Sequence, residues 1–76
     1  MTVEALVLTR DAAHLTKQER EVIRLSAEGK HDGEIASLLQ TSTAAVRMAA
    51  SRALDKTGTS TRAGVVAFAL RRGIIR

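Results

Sequence analysis

Along the chain, apolar residues recur at intervals of three and four in four separate stretches, and the breaks between them carry glycine or small polar residues. The first stretch, "LTKQEREVIRLSAEG", opens with Thr16 and has Glu19 three residues on. That is the spacing of a capping box, in which each side chain satisfies the other residue's free backbone N–H. Val22, Ile23, Leu25 and Ala27 give this helix an apolar face, and Gly29 is placed to stop it. "HDGEIASLLQ" predicts a short second helix with Ile35, Ala36, Leu38 and Leu39 inward and Asp32 as its cap.

Only Gln40 and Thr41 then intervene before Ser42, the N-cap candidate for a third helix, "TAAVRMAASRALDKTG". Two helices joined this closely must cross at a large angle, which predicts a helix-turn-helix. On a helical wheel the third helix turns Val46, Ala49, Ala50 and Ala53 inward, and Ala44, Arg47, Met48, Ser51, Arg52 and Asp55 outward. Gly58 ends it. Ser60 or Thr61 can cap a fourth helix, "RAGVVAFALRRG", which runs to Gly73, with Ile74 and Ile75 set to pack back over its end. The fold class is therefore all-α, with four helices.

The fourth helix is apolar around most of its circumference: Val65, Val66, Phe68, Ala69 and Leu70, with Ala63 and Ala67. In a chain of 76 residues one arc meets the core and the remainder needs cover. A second copy is the economical cover, and residues 3–8, "VEALVL", are the alternative.

Composition narrows the picture. One Phe, no Trp and no Tyr leave a core of Leu, Ile, Val and many Ala, which allows close helix approach. With no Cys there is no disulfide, zinc-finger or thiol chemistry. His14 and His31 lack companion ligands, and Glu19 and Glu21 point to different sides of one helix, so neither an enzyme nor a metal or other cofactor is expected. The longest apolar run, "VVAFAL", is far shorter than the roughly 20 residues that span a bilayer, and the N-terminus lacks a basic signal region. The expected compartment is the cytoplasm, without a membrane partner.

Charge is distributed unevenly. Residues 1–40 hold five Lys/Arg and seven Asp/Glu, a balance of −2, whereas residues 41–76 hold seven Lys/Arg against Asp55 alone, a balance of +6. A local basic excess on a helix whose exposed face also offers a hydroxyl and a flexible apolar side chain suits a polyanion. Arg can fork onto guanine O6 and N7, Met can meet a thymine methyl, and Ser can donate or accept. Ser42, Thr43 and the free N–H groups beside them suit a phosphate oxygen. Arg71, Arg72 and Arg76 fall where they complement the C-terminal dipole of the fourth helix.

From Leu15 to Ile75 the chain resembles the LuxR-type (GerE-type) helix-turn-helix domain. The resemblance is carried without a gap by Leu15, Thr16, Glu19, Glu21, Val22, Leu25, Ala27, Gly29, Glu34, Ile35, Ala36, Leu39, Ser42, Val46, Lys56, Gly58 and Arg62. A sigma-factor region-four-like domain shares the plan, but the capping box and the K-x-G-x-x-x-R segment at 56–62 favour the LuxR type. The resemblance divides the chain into an extension at 1–14 and a DNA-binding domain at 15–76.

By that resemblance the third helix enters the major groove with Arg47, Met48 and Ser51 at base edges or nearby phosphates. Arg62 then sits by the backbone and the fourth helix pairs with a twofold mate. The DNA-facing set is Ser42, Thr43, Ala44, Arg47, Met48, Ser51, Arg52, Lys56 and Arg62, and the expected dimer contact is Val65, Phe68, Ala69 and Arg72. His31 and Asp32 replace the family's usual Ser-Asn pair, placing an acid near a phosphate-facing surface. Ala45 and Ala49 replace frequent polar residues, and Thr57 replaces a frequent Leu and is expected to weaken the core. Only fourteen residues precede Leu15; if the 76 residues are the whole protein, a stand-alone small regulator without a receiver or ligand domain is expected, and if they are an excised domain that expectation falls. A homodimeric, sequence-specific transcriptional regulator is the first reading; an adaptor docking on RNA polymerase or another regulator through the last helix is the second.

Overall fold

A computed structural model of the chain describes residues 14–76, and every structural statement below concerns these. The alternative cover at residues 3–8 lies outside them. Four helices follow one another: α1 (Lys17–Ala27), α2 (Asp32–Leu38), α3 (Thr43–Thr57) and α4 (Arg62–Arg71). No strand occurs among the described residues, and no helix among them is long and apolar enough to cross a membrane.

Local chemistry sets each start. The Thr16 hydroxyl accepts the Glu19 N–H at 3.1 Å, and Glu19 Oε1 accepts the Thr16 N–H at 2.9 Å. Ser42 accepts from the Ala45 N–H and Thr61 from the Gly64 N–H, both at 3.0 Å. The start of α2 differs from the expectation. Its N-cap is His31, whose N–H is accepted by Glu34 at 3.0 Å, while Asp32 is the first helical residue and its carboxylate turns elsewhere.

Each stop repeats one device: a residue in the left-handed region lets the backbone fold over the last turn. Gly29, Gly58 and Gly73 supply it after α1, α3 and α4. After α2 the residue is Gln40, at φ 54°, and the Thr41 N–H closes on the Ala36 carbonyl at 2.9 Å. A side chain in that conformation costs on the order of 1 kcal/mol, a strain the surrounding turn must hold. It fixes the short bend between α2 and α3.

Packing divides the interior in two. One cluster joins Val22, Leu25, Ile35, Ala36, Val46, Ala49 and Ala50; the other joins Leu15, Ile23, Ala53, Val65, Ala69 and Ile75. Helices α1 and α3 contribute to both and act as a spine, with α2 on one side and α4 on the other. Neighbouring residues Val22 and Ile23, both fully buried, face different clusters. The inward arc expected for α3 is buried throughout, and alanine at 49, 50 and 53 lets the helix sit close to its neighbours.

Two positions depart from expectation. Leu38 is 59 % exposed, because a seven-residue helix buries only the narrow arc of Ile35 and Ala36. Ala27, at the end of α1, is exposed as well. Thr57 is buried, and its hydroxyl donates to the Ala53 carbonyl at 2.8 Å, one turn back.

Candidate nucleic-acid interface

The outward side of α3 is built from residues that the core does not use. Ser42, Ala44, Arg47, Met48 and Ser51 are exposed, and Thr43 is half-buried beside them. Since Val46, Ala49, Ala50 and Ala53 hold the helix from behind, these side chains stand on a rigid support. Met48 is 61 % exposed and belongs to neither core cluster, so it does not serve as core filler. The free backbone N–H groups of the first turn lie at the same end as Ser42 and Thr43, which gives that end a partial positive charge.

The remaining cations of the expected set are held by two carboxylates. Glu19 is completely buried. Its Oε1 accepts from Lys56 Nζ at 2.7 Å and from the Thr16 N–H, and its Oε2 accepts from Arg52 Nε at 3.0 Å. Lys56 Nζ donates also to the His14 carbonyl at 3.0 Å. Burial pushes the Glu19 carboxyl up, but the bonds from Lys56, Thr16 and Arg52 outweigh it and hold the group below the usual carboxylate range. Among the described residues Arg52 is bonded through Nε alone, and its side chain remains 46 % exposed.

Asp32 forms the second centre. Arg62 Nη1 donates to its Oδ1, Arg62 Nη2 approaches Oδ2 at 3.4 Å, and Arg47 Nε lies 3.7 Å from the same Oδ2. One side chain on the first turn of α2 thereby gathers a cation from α3 and another from α4. The Arg62 guanidinium holds the Asp32 carboxyl below its ordinary range against the opposing effect of burial, with Arg47 and His31 adding to it.

The profile of bacterial regulatory proteins of the luxR family matches residues 13–69, which take in the helix-turn-helix and its exposed, cationic α3. The chain belongs to the luxR family of bacterial regulatory proteins. Over 59 residues, 78 % of this chain, it is 41 % identical to the response regulator Rre1 of Synechocystis sp.. The match covers 26 % of that protein, so the chain spans about a quarter of its relative's length. Family membership makes this a domain of DNA-binding transcription regulators.

Within this luxR-type domain the residues expected at a dimer contact separate. Val65 and Ala69 are wholly buried, packed with Leu15, Ile23, Ala53 and Ile75, and present no surface to a second copy. Apolarity around most of α4 concealed which arc the core would take. Phe68 is half-buried and Arg72 exposed, with the guanidinium 4.8 Å from the centre of the Phe68 ring. Leu70, 49 % exposed, is the large apolar residue on the open side of α4.

Sequence reasoning missed Glu19 as a junction and Asp32 as a partner of Arg62. For Glu19 a signal existed: spacing of four from Leu15 and from Ile23 puts it on the buried face of α1, and Arg52 and Lys56 stand four apart on α3. A buried carboxylate needs cations, and that pair shares one face of α3.

Proposed function

We propose that the chain acts as a sequence-specific DNA-binding module of a transcriptional regulator, laying α3 in the major groove. The observation that carries this reading is the sorting of α3 into a buried alanine-rich face and an exposed face of Ser42, Ala44, Arg47, Met48 and Ser51. Arg47 has the length and the fork to reach guanine, Met48 suits a thymine methyl, and Ser51 can serve a base or a phosphate. Ser42 and Thr43 offer hydroxyls to phosphate beside the helix N-terminus. Arg52, held by Glu19 at Nε and still half exposed, suits the backbone, and Arg62 joins it once released from Asp32. Lys56, with two bonds to protein oxygens, contributes charge at longer range.

The DNA-bound state in this proposal is a homodimer that sets its two copies of α3 about one helical turn, ~34 Å, apart on a twofold-symmetric site. Phe68, Leu70 and Arg72 supply the surface for it on α4. The same surface supports a second reading, an adaptor docking on RNA polymerase or a larger regulator.

Selection from a random duplex library at ~0.15 M salt decides between them. Enrichment of a symmetric site is the expected result, and no enriched site favours the adaptor. Arg47→Ala is expected to relax choice at one base position and to weaken the selected site by ~1–3 kcal/mol. Unchanged affinity and preference would remove Arg47 from the reading face.

A further inference from the structure

Two cations of the candidate interface, Arg47 on α3 and Arg62 on α4, meet the same carboxylate. We propose that Asp32 is an internal stand-in for a DNA phosphate: it occupies Arg62 and Arg47 in the free domain and yields them only when a phosphate takes its place. The inference rests on the DNA-binding reading above and adds to it a residue that limits indiscriminate affinity.

Geometry supports exchange. Asp32 engages Arg62 through both oxygens, the forked arrangement a guanidinium also makes with phosphate, and Arg47 lies beside one of them. The pair stands at the boundary with water: the side chains of Asp32, Arg62 and Arg47 are 22 %, 34 % and 71 % exposed, so the contact can open without uncovering the core. Glu19, whose side chain has no exposure, could not release its partners that way.

Helix α2 does not use the Asp32 side chain as its cap, because the N-cap is His31 and Glu34 reaches back to it. The carboxylate is thus available for a role between helices. It also cancels one of the two positive charges it touches, which lowers the number of counterions a random duplex can release against this end of the face. A cognate site, which offers base contacts to the freed Arg47, can displace the carboxylate; a random one offers phosphate alone.

The test measures binding of the purified chain to a random-sequence duplex at salt from ~0.05 to ~0.3 M, comparing the unaltered protein with Asp32→Asn. Asp32→Asn is expected to bind about three- to tenfold tighter near 0.15 M and to steepen the slope of log affinity against log salt by up to about one. Arg62→Gln in both backgrounds completes a cycle: it should weaken binding several-fold more in the Asp32→Asn protein, where Arg62 is free, than in the unaltered one.

Asp32→Ser repeats the loss of charge with a different side chain, and thermal melting of each variant reports whether it folds. If the unaltered protein binds duplex and both Asp32 variants, folded, bind equally or less tightly, the stand-in is refuted while the DNA reading stands. An additive cycle refutes it equally, since Arg62 would then act independently of Asp32. If neither the unaltered protein nor a folded Asp32 variant binds duplex even at ~0.05 M salt, the DNA reading itself fails, and the stand-in with it.

Discussion

Glu19 and Asp32 each hold two cations from other helices, yet one lies in the interior and the other at the rim. Around Glu19, Lys56 and Arg52 lie on one face of α3, so the cluster locks α1 to α3 from the side. Around Asp32, Arg62 and Arg47 come from α4 and α3, and water reaches all three groups. The difference teaches that burial, more than the number of partners, decides what an ion pair does. A buried carboxylate that loses its partners is stranded, whereas a half-exposed one is rehydrated.

The largest effect that sharpens this contrast is Glu19→Ala. It removes a cap acceptor and leaves two cations without their counter-charge, and we expect a loss of about 2–4 kcal/mol in chemical denaturation. Asp32→Ala, discounted for solvent screening, should cost about 0.5–1 kcal/mol. Equal losses would break the comparison. Next comes Lys56→Met, expected at about 1–2 kcal/mol, because Glu19 keeps Arg52 and the Thr16 N–H.

Acid should reveal the same order. The folded Glu19 carboxyl lies below its ordinary value of 4.5, so its contribution is complete above that value and is lost as pH falls through the lower folded one. Melting temperature should therefore drop below about pH 4.5 in the unaltered protein and drop less in Glu19→Gln. A Glu19→Gln protein that loses stability with acid as steeply as the original would show the charge to be incidental. The smallest effect belongs to Arg47→Ala, with folding stability unchanged within about 0.5 kcal/mol while DNA binding suffers.

What was legible in the sequence follows from what is local. The capping box of Thr16 and Glu19, the stops at Gly29, Gly58 and Gly73, and the two faces of α3 all depend on neighbours within one or two turns. Asp32 was expected to cap α2 because a short acidic side chain suits that position. The structure gives that position to His31, and the Asp32 carboxylate reaches Arg62, thirty residues away. The partners of Glu19, 33 and 37 residues on, are likewise settled by packing rather than by periodicity. Val65 and Ala69 were hidden among apolar neighbours in α4, where periodicity cannot choose a face.

The alanines behind α3 have a consequence for how such a domain can diversify. Ala44, Arg47, Met48 and Ser51 share no position with Val46, Ala49, Ala50 and Ala53. Substitutions at the exposed positions therefore change the surface that α3 presents while leaving the packing beneath it intact. In the DNA-binding role proposed above, such a chain can exchange one preferred site for another by single substitutions, each intermediate still folded.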